Sequence, residues 1–311
     1  MLSDSLIRHR RRILGAFYPL LASSAWGVMY VVSKYSFGYV PPITLCTIRV
    51  ILGGGTLAAL SLLRGEPLPR GRDRWRLLGL GLLVALGLGT QYVGTDLATA
   101  SQGALITTMT PVFTVLFAWC IGRESLSRRT IVGSVAALAG VLAIIWPQLA
   151  GLGIGSWRAA AGSLLLLAAS LAWGLYTVLG KPLIRRLGAL YTTGYSTLAS
   201  LPFFALLIPV ELHARPLTAL TPPLALAILY LGFGATALAW YFWNKGVEYV
   251  DASLVAVSFF AQPVVGSLLG WLVLREALGW RFLVGGLVVA GGILAVSWPE
   301  ARSPTTRRAG C

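Results

Sequence analysis

Charged residues are scarce in this chain, and acidic ones are scarcer still. Only 11% of its 311 residues carry a charge, and 10 Asp and Glu stand against 25 Lys and Arg. There are 3 cysteines and 2 histidines, without a CxxC pair or a HExxH, GxSxG or GxGD motif. Because nucleophiles, bases and metal ligands in a useful arrangement are missing, we expect no disulfide framework, no metal, no other cofactor and no enzymatic activity.

Apolar residues, in contrast, make up 57% of the chain, and the mean hydropathy is +0.78. They form ten runs of about 17–23 residues, the length that a helix needs to cross a hydrocarbon core about 30 Å thick. The sequence therefore predicts an all-α, polytopic membrane protein whose partner is the lipid bilayer, without an attached soluble domain. The ten predicted transmembrane helices cover residues 15–33, 43–63, 77–94, 99–121, 130–146, 160–180, 190–210, 223–244, 252–274 and 282–298.

The basic residues are distributed unevenly between the two sides of these helices. If the amino terminus is cytoplasmic, the inner segments hold 19 Lys and Arg, the outer segments hold 5, and Arg49 lies within helix 2. This is the positive-inside bias of short loops. It predicts cytoplasmic termini, with a basic segment at residues 1–14 and a tail at 300–311. It also accounts for the net charge of +15 without a nucleic-acid partner.

The chain contains two copies of one pattern. Residues 22–34 and 169–181 are identical at 7 of 13 positions. Residues 111–147 and 263–299 are identical at 15 of 37 positions, and this second pair has a constant offset of 152. Five predicted helices belong to each copy, and an odd number of spans inserts consecutive copies upside down. We therefore predict two inverted five-helix repeats and an alternating-access transporter, for which a monomer is sufficient. The two copies cover residues 15–150 and 157–299.

Each copy begins with a helix that carries Ser-x-Ala-Trp-Gly, has a proline-centred fourth helix, and leaves it through Arg-Glu-x-Leu, at Arg123–Leu126 and Arg275–Leu278. This combination resembles the EamA family of the drug/metabolite transporter superfamily of bacterial membranes. The resemblance implies a central cavity built mainly from helices 1, 3, 4, 6, 8 and 9, in a protein of the bacterial inner membrane. It also implies export of amino acids, other metabolites or drugs. Among relatives, the chain looks most like exporters of neutral and aromatic amino acids.

Proline lies near the middle of helices 4 and 9, at the equivalent positions Pro111 and Pro263. A proline frees a backbone carbonyl one turn earlier, here near Thr107 and Phe259, and in a membrane that carbonyl must find a partner. We predict a hinge or a substrate-contacting break at both positions. A fixed kink satisfied by neighbouring polar side chains is the alternative. These neighbours are Thr108, Thr110 and Gln262.

Trp26 and Trp173 are predicted near the midplane on repeat-related helices, whereas most other tryptophans fall at helix ends, as interfacial anchors do. An indole can stack on a substrate or hold its ammonium group by a cation–π contact. Tyr30 and Tyr176 follow four and three residues later, near the face of each indole. We predict that both pairs line the cavity, and a packed core shared by the two halves is the alternative.

Side chains of helices 3, 4, 8 and 9 complete the predicted pathway. Gln91 and Tyr92 occupy repeat positions equivalent to Trp243 and Asn244, and the two pairs are predicted to gate opposite sides. The predicted substrate-binding residues are Trp26, Tyr30, Gln91, Tyr92, Thr108, Trp173, Tyr176, Trp243, Asn244 and Gln262, with Pro111 and Pro263 as hinges.

Arg49 lies within a predicted helix, where charges are costly and therefore often functional. It is a candidate partner for a substrate carboxylate, with snorkelling to the outer surface or a structural role as alternatives. At helix ends, we expect Lys34 to be solvated and Glu276 to bond the N–H groups that open helix 10. No Asp or Glu lies deep in a predicted helix, so coupling to protons through a buried carboxylate is disfavoured.

These features predict a secondary transporter that exports small molecules, with neutral or aromatic amino acids as the first expectation. Sugars, nucleotide-like metabolites and drugs are the alternative substrates. A passive channel would show a polar stripe through every layer of the membrane and does not require an inverted repeat, so this class is disfavoured. An intramembrane enzyme is disfavoured as well, because it needs a nucleophile with its base or a metal site.

Overall fold

The computed structural model describes residues 2–122, 128–150, 156–249 and 258–297, and within these ranges all regular structure is helical. The helices are α1 (Leu2–Ser36), α2 (Pro42–Leu63), α3 (Gly71–Leu97), α4 (Ala100–Ile106), a 3₁₀ turn (Thr107–Met109), α5 (Thr110–Gly122), α6 (Arg128–Leu149), α7 (Ser156–Leu187), α8 (Ala189–Leu198), α9 (Leu201–Ala205), α10 (Ile208–Ala214), α11 (Pro222–Leu229), a π-helix (Tyr230–Leu238), α12 (Ala239–Tyr249), α13 (Ala261–Leu274) and α14 (Trp280–Ser297).

Six helical stretches of the described chain are long and apolar enough to cross a membrane. They are Pro42–Leu63, Gly71–Leu97, Ala100–Ile121, Arg128–Leu149, Trp157–Leu187 and Pro222–Lys245. A seventh is the pair Ala189–Ala205 and Ile208–Ala214, which is bent by 55°, while α13 and α14 are apolar but shorter. The prediction of an all-α, multi-pass membrane protein is therefore confirmed. The exit motif at 123–126, the start of predicted helix 9 and the tail at 300–311 lie outside the described residues.

Helices 4 and 9 of the prediction are both interrupted just before their prolines. The 3₁₀ turn Thr107–Met109 precedes Pro111, and a turn at 259–260 precedes Pro263. The Thr107 carbonyl, which Pro111 cannot bond, accepts a hydrogen bond from the Thr110 hydroxyl at 2.8 Å. Local side chains therefore satisfy the first break, as in the fixed-kink alternative.

Predicted helix 7, at 190–210, is divided into α8, α9 and α10. Pro202 and Pro209 lie in the first turns of α9 and α10. Proline fits there because the first N–H groups of a helix have no intrahelical partner, but it cannot continue the preceding helix. The continuous apolar run concealed these two helix starts.

The two halves of the chain pack on each other in a reciprocal pattern. The long helix α1 lies against α12 and α13, and its counterpart in the second half, α7, lies against α3 and α5. The second helices of the halves meet as α2 and α8, and the fifth helices as α6 and α14. Exchanging the halves therefore preserves these principal helix contacts.

Small residues bring α6 and α14 into close contact. Gly133 faces Gly292, and Gly140 faces Gly285, so that the two helices run antiparallel. A Cβ atom placed on Gly292 would lie 2.5 Å from the Gly133 carbonyl oxygen. Such close backbone approach is what small residues provide between helices in lipid, where apolar burial contributes little.

Candidate functional site

The Arg49 guanidinium is the centre of a buried polar network between the halves. Arg49 is 4% exposed. Its Nε donates to Thr236 Oγ1 at 2.7 Å, and its Nη1 donates to Met29 Sδ at 2.7 Å and to the Tyr92 hydroxyl at 3.2 Å. Its Nη2 points to the Ala235 carbonyl at 3.4 Å. Arg49 of α2 thus ties α1, α3 and the π-helix together rather than reaching the membrane surface.

The π-helix supplies two of these acceptors. In a π-helix each hydrogen bond spans five residues, which adds a residue to the turn and redirects the groups next to it. The Thr236 hydroxyl itself donates to the Leu231 carbonyl at 2.9 Å, five residues earlier. This bond leaves the lone pairs of Thr236 Oγ1 free to accept from Arg49.

Trp173 joins this network from the other side. Its indole N–H donates to Gln91 Oε1 at 3.0 Å, and Gln91 Nε2 lies 4.0 Å from Met29 Sδ, at the limit of a hydrogen bond to sulfur. Because an indole nitrogen can only donate, this bond fixes which end of the Gln91 amide faces Met29. Met29 therefore lies between two donors, Arg49 and Gln91.

Trp26 reaches the same network through the π-helix. Its indole N–H donates to the Ala235 carbonyl at 3.0 Å, which is also the acceptor for Arg49. The Trp26 ring contacts Trp243, with ring centroids 5.3 Å apart, and Phe259, at 6.0 Å. The two predicted tryptophans thus meet one continuous set of contacts that passes through Arg49.

A second buried cluster lies where the proline-broken helices meet α1. The Tyr30 hydroxyl and Thr107 Oγ1 are 2.5 Å apart, and Gln262 Nε2 donates to Thr107 Oγ1 at 3.0 Å and to the Ala104 carbonyl at 3.0 Å. Tyr30 therefore points to the break before Pro111 rather than to the Trp26 ring. The hydrogen bond from Gln262 to Thr107 links the break before Pro263 directly to the break before Pro111.

The remaining predicted residues do not join the Arg49 network. The Tyr176 ring contacts Trp173, but its hydroxyl bonds Ser196 at 3.0 Å, on α8. Thr108 donates back to the Leu105 carbonyl of its own helix at 2.5 Å. Asn244 is half-buried in the middle of α12.

The sequence of the chain matches a known protein family. The profile of the EamA-like transporter family matches residues 13–146 and again residues 160–298. The chain belongs to the EamA-like transporter family. An uncharacterized transporter of Archaeoglobus fulgidus is 27% identical to it over 286 residues, which cover 89% of this chain and 96% of that protein. The uncharacterized transporter YetK of Bacillus subtilis is 28% identical over 297 residues, covering 91% and 87%.

The fold is also similar to that of a solved structure described as "Crystal structure of protein". The TM-score is 0.64 at 23% sequence identity, with 91% of this chain and 96% of that chain covered. At this identity the similarity concerns the fold alone. Family membership makes this EamA-like protein a membrane transporter.

Two acidic residues of the second half bond the starts of helices of the first half. Both contacts lie at the end of the bundle that contains Lys34, which we call the Lys34 end. The Glu276 carboxylate accepts from the Ala100 N–H at 2.6 Å, the Ser101 N–H at 2.9 Å and the Ser101 hydroxyl at 2.5 Å. Glu211 does the same for α2, accepting from the N–H groups of residues 43 and 44 at 2.8 Å each. The expectation that Glu276 opens helix 10 is wrong, because the chain reverses at Arg275 (φ 57°) and carries Glu276 back toward α4.

Basic residues close the same end. Lys34 Nζ donates to three carbonyls at the end of α3, those of Thr95, Asp96 and Ala98, at 2.7–3.0 Å. Arg215 pairs with the Asp96 carboxylate at 2.9 Å and also bonds a carbonyl of the α1–α2 loop. Lys34 is thus a helix cap with protein partners rather than a solvated one.

The opposite end of this EamA-like transporter contains a groove between α3 and α7. Its volume is about 510 Å³. The lining is largely apolar, formed by Arg76, Gly79, Leu80, Leu83, Leu179, Pro182 and Leu183. This groove lies beside the first turns of α3, opposite to the Lys34 end of the bundle.

The site also contains residues that sequence reasoning missed. Met29, Thr107 and Thr236 bond the predicted residues directly but carry no charge or repeated motif that would distinguish them. The available signal was the Gly-Phe-Gly at 232–234, which is unfavourable within an α-helix and lies beside the π-helical acceptors.

Gly53 offers a test of how the π-helix is held. A Cβ atom on Gly53 would lie 2.4 Å from Thr236 Cβ and 2.6 Å from the Gly232 carbonyl oxygen, whereas one on Gly55 would meet nothing within 4 Å. We expect Gly53→Ala to displace the π-helix and cost about 1–3 kcal/mol of stability. Gly55→Ala, in the same helix, should be neutral or slightly stabilising. Melting temperatures of the detergent-solubilised variants check this, and equal values would contradict the tight contact.

Proposed function

We propose that this protein is a secondary transporter of the bacterial inner membrane that exports small metabolites, foremost neutral or aromatic amino acids, by alternating access between two inverted five-helix repeats. The observation that carries the proposal is the network in which Trp26 and Trp173, at repeat-related positions, converge on Arg49 at the interface of the halves. Substrate sites of such transporters are formed where the repeats meet.

The helix arrangement supports two inverted repeats. The family profile matches the chain twice, the principal contacts are reciprocal, and the repeat-related helices α6 and α14 run antiparallel. The breaks before Pro111 and Pro263 meet at Thr107, so bending at one would be felt at the other. We propose these breaks as the hinges of the transport cycle.

The chemistry of the interior favours a neutral or zwitterionic solute. The Arg49 guanidinium lies over the Tyr92 ring, 5.7 Å from its centroid, and an ammonium group can lie against an indole face such as that of Trp26 or Trp173. Five carboxylates that the structure describes are bonded at helix ends, those of Glu66, Asp73, Asp96, Glu211 and Glu276. Facilitated export therefore fits better than coupling to protons through a buried carboxylate. Sugars, nucleotide-like metabolites and drugs remain the alternative substrates.

Counterflow in proteoliposomes tests the proposal. We expect labelled neutral and aromatic amino acids to exchange without an imposed pH gradient, and basic and acidic ones to exchange poorly. Strict dependence on the gradient would contradict facilitated transport. Exchange only of sugars, nucleotides or drugs would move the substrate to the alternative class.

Trp173→Ala separates a role in transport from a role in stability. Losing the indole removes the hydrogen bond that orients Gln91, and we expect counterflow to fall about 10-fold, the effect of 1.4 kcal/mol, with expression unchanged. Trp157→Ala is the control, because Trp157 lies on the same helix, is 74% exposed and should leave the rate unchanged. Equal rates in both variants would remove Trp173 from the site.

A further inference from the structure

Arg49 is a buried cation whose partners are all neutral. The guanidinium bonds two hydroxyl groups and a thioether, and its fourth contact, to a carbonyl, is long at 3.4 Å. Removing a charge from water is costly unless an opposite charge compensates for it. An anion is therefore the partner that this site lacks.

Five acidic side chains whose positions the structure describes are committed elsewhere. Each of the five is bonded at a helix end, away from Arg49. The pairs are Glu66 with Ser61, Asp73 with Arg186, Asp96 with Arg215, Glu211 with the start of α2, and Glu276 with the start of α4. None of these five described carboxylates compensates the charge of Arg49, and a bound ligand can supply the missing anion.

The Met29 sulfur marks where that charge fits. Arg49 Nη1 donates to it at 2.7 Å, and Gln91 Nε2 is directed at it from 4.0 Å. A thioether is a weak acceptor, so two strong donors converge on a poor partner. Methionine is unbranched and flexible, and its side chain can leave this position by rotating.

Trp173 holds the second donor in place. Its indole N–H donates a hydrogen bond to Gln91 Oε1, so the amide NH₂ group of Gln91 faces Met29. The arrangement offers a carboxylate one charged and one neutral donor, with the Tyr92 hydroxyl 3.2 Å from the same Arg49 nitrogen. A guanidinium with an adjacent N–H donor is a good match for the two oxygens of a carboxylate.

We propose that the position of the Met29 thioether is the binding position of the substrate carboxylate, held by Arg49 and Gln91 once Met29 rotates away. This assignment rests on the proposed transport function and specifies the substrate as a carboxylate-bearing solute. Trp173 is a positioning residue in this scheme, since it acts through Gln91.

Four matched compounds test the carboxylate directly. They are L-phenylalanine, L-phenylalaninamide, 3-phenylpropionate and 2-phenylethylamine, with binding measured by calorimetry on the protein in lipid nanodiscs. We expect the two carboxylates to bind about 10-fold or more tightly than the amide and the amine, the usual worth of a charged hydrogen bond. Equal binding of the acid and its amide would overturn the site.

Variants then assign the effect to residues. Arg49→Lys should abolish the preference for acids, because the single ammonium of lysine cannot bond Thr236 and reach the carboxylate position at the same time, as the separate nitrogens of the Arg49 guanidinium do. Met29→Ala should strengthen binding of acids a few-fold by removing the competing occupant, without changing binding of the amide. Arg281→Lys, the same substitution at an exposed site, should change neither. Preference for acids that survives Arg49→Lys would overturn the assignment.

The outcomes also separate this site from the transport proposal. If Arg49→Lys fails to fold, Gln91→Leu should still weaken acids several-fold and spare the amide. Arg49-dependent binding of 3-phenylpropionate without transport of amino acids would support the site and overturn the amino-acid proposal. Transport of amino acids combined with equal binding of the acids and their amides would support the amino-acid proposal and overturn the carboxylate site. Absence of binding by all four compounds would overturn the site.

Discussion

Replacing Gly292 with leucine is expected to separate α6 from α14 and to lower the stability of the protein by about 3 kcal/mol, the upper part of the usual range for overpacking. The Cβ atom alone would lie 2.5 Å from the Gly133 carbonyl oxygen and 2.6 Å from the Ala137 nitrogen. Both neighbours are backbone atoms of a helix, so neither can move aside without displacing α6. The contact is tight because the two glycines lie directly opposite each other.

Gly291 provides the control for this change. It is the adjacent residue of α14, and a Cβ atom there would meet nothing within 4 Å. Gly291→Leu should therefore leave the protein as stable as the parent. Unfolding can be followed in detergent by the reaction of a thiol-specific dye with Cys46, which is fully buried, after Cys120 and Cys311 are replaced. Similar melting temperatures for the two variants would show that α6 and α14 are not held by this contact.

Hydropathy and the repeat were sufficient to predict the helical class and the interrupted fourth and ninth helices. Apolar length indicates a membrane helix regardless of its partners, and proline acts on its own helix, so both are local signals. The division of predicted helix 7 was missed because Pro202 and Pro209 lie inside an unbroken apolar run. In a run of apolar residues, no polar residue marks the end of one helix and the start of the next. The sequence therefore does not distinguish a proline that starts a new helix from a proline that kinks a continuous one.

The candidate site was predictable only as a set of unusual residues. Arg49, Gln91, Trp26 and Trp173 were distinguished by charge, polarity or repetition. Their mutual contacts depend on where the π-helix places the Ala235 carbonyl and on the rotamer of Met29. Neither leaves a periodic mark in the sequence, because a π-helix is a local change of hydrogen-bond register and methionine is an ordinary core residue.

The same limit explains the error at Glu276. The sequence places this residue between α13 and α14, so the nearest helix start in the chain is that of α14. The structure instead directs it to α4, because Arg275 adopts a left-handed conformation and the Glu276 N–H bonds the Gly270 carbonyl at 3.1 Å. A carboxylate of the second half thereby holds the start of a helix of the first half.

In the alternating-access cycle that we propose, Glu276→Gln is expected to open the Lys34 end. The carboxylate receives two N–H groups and a hydroxyl at the positive start of α4. Glutamine keeps the shape, but it removes the charge and turns an NH₂ group toward these donors. Hydrogen bonds to a charged group contribute about 1.5–3 kcal/mol, so the ratio of closed to open protein should fall about 10- to 100-fold.

Labelling with a membrane-impermeant maleimide can measure this shift. Ala98 is 7% exposed at the end of α3, and its carbonyl is bonded by Lys34, so Ala98→Cys reports on closure of this end. In a background without the native cysteines, we expect Glu276→Gln to accelerate labelling by a similar factor. Glu66→Gln removes the same charge from the opposite end, where Glu66 bonds Ser61, and should not change the rate. Unchanged labelling in Glu276→Gln would mean that Lys34 and Arg215 close this end alone, and that the carboxylate merely caps α4.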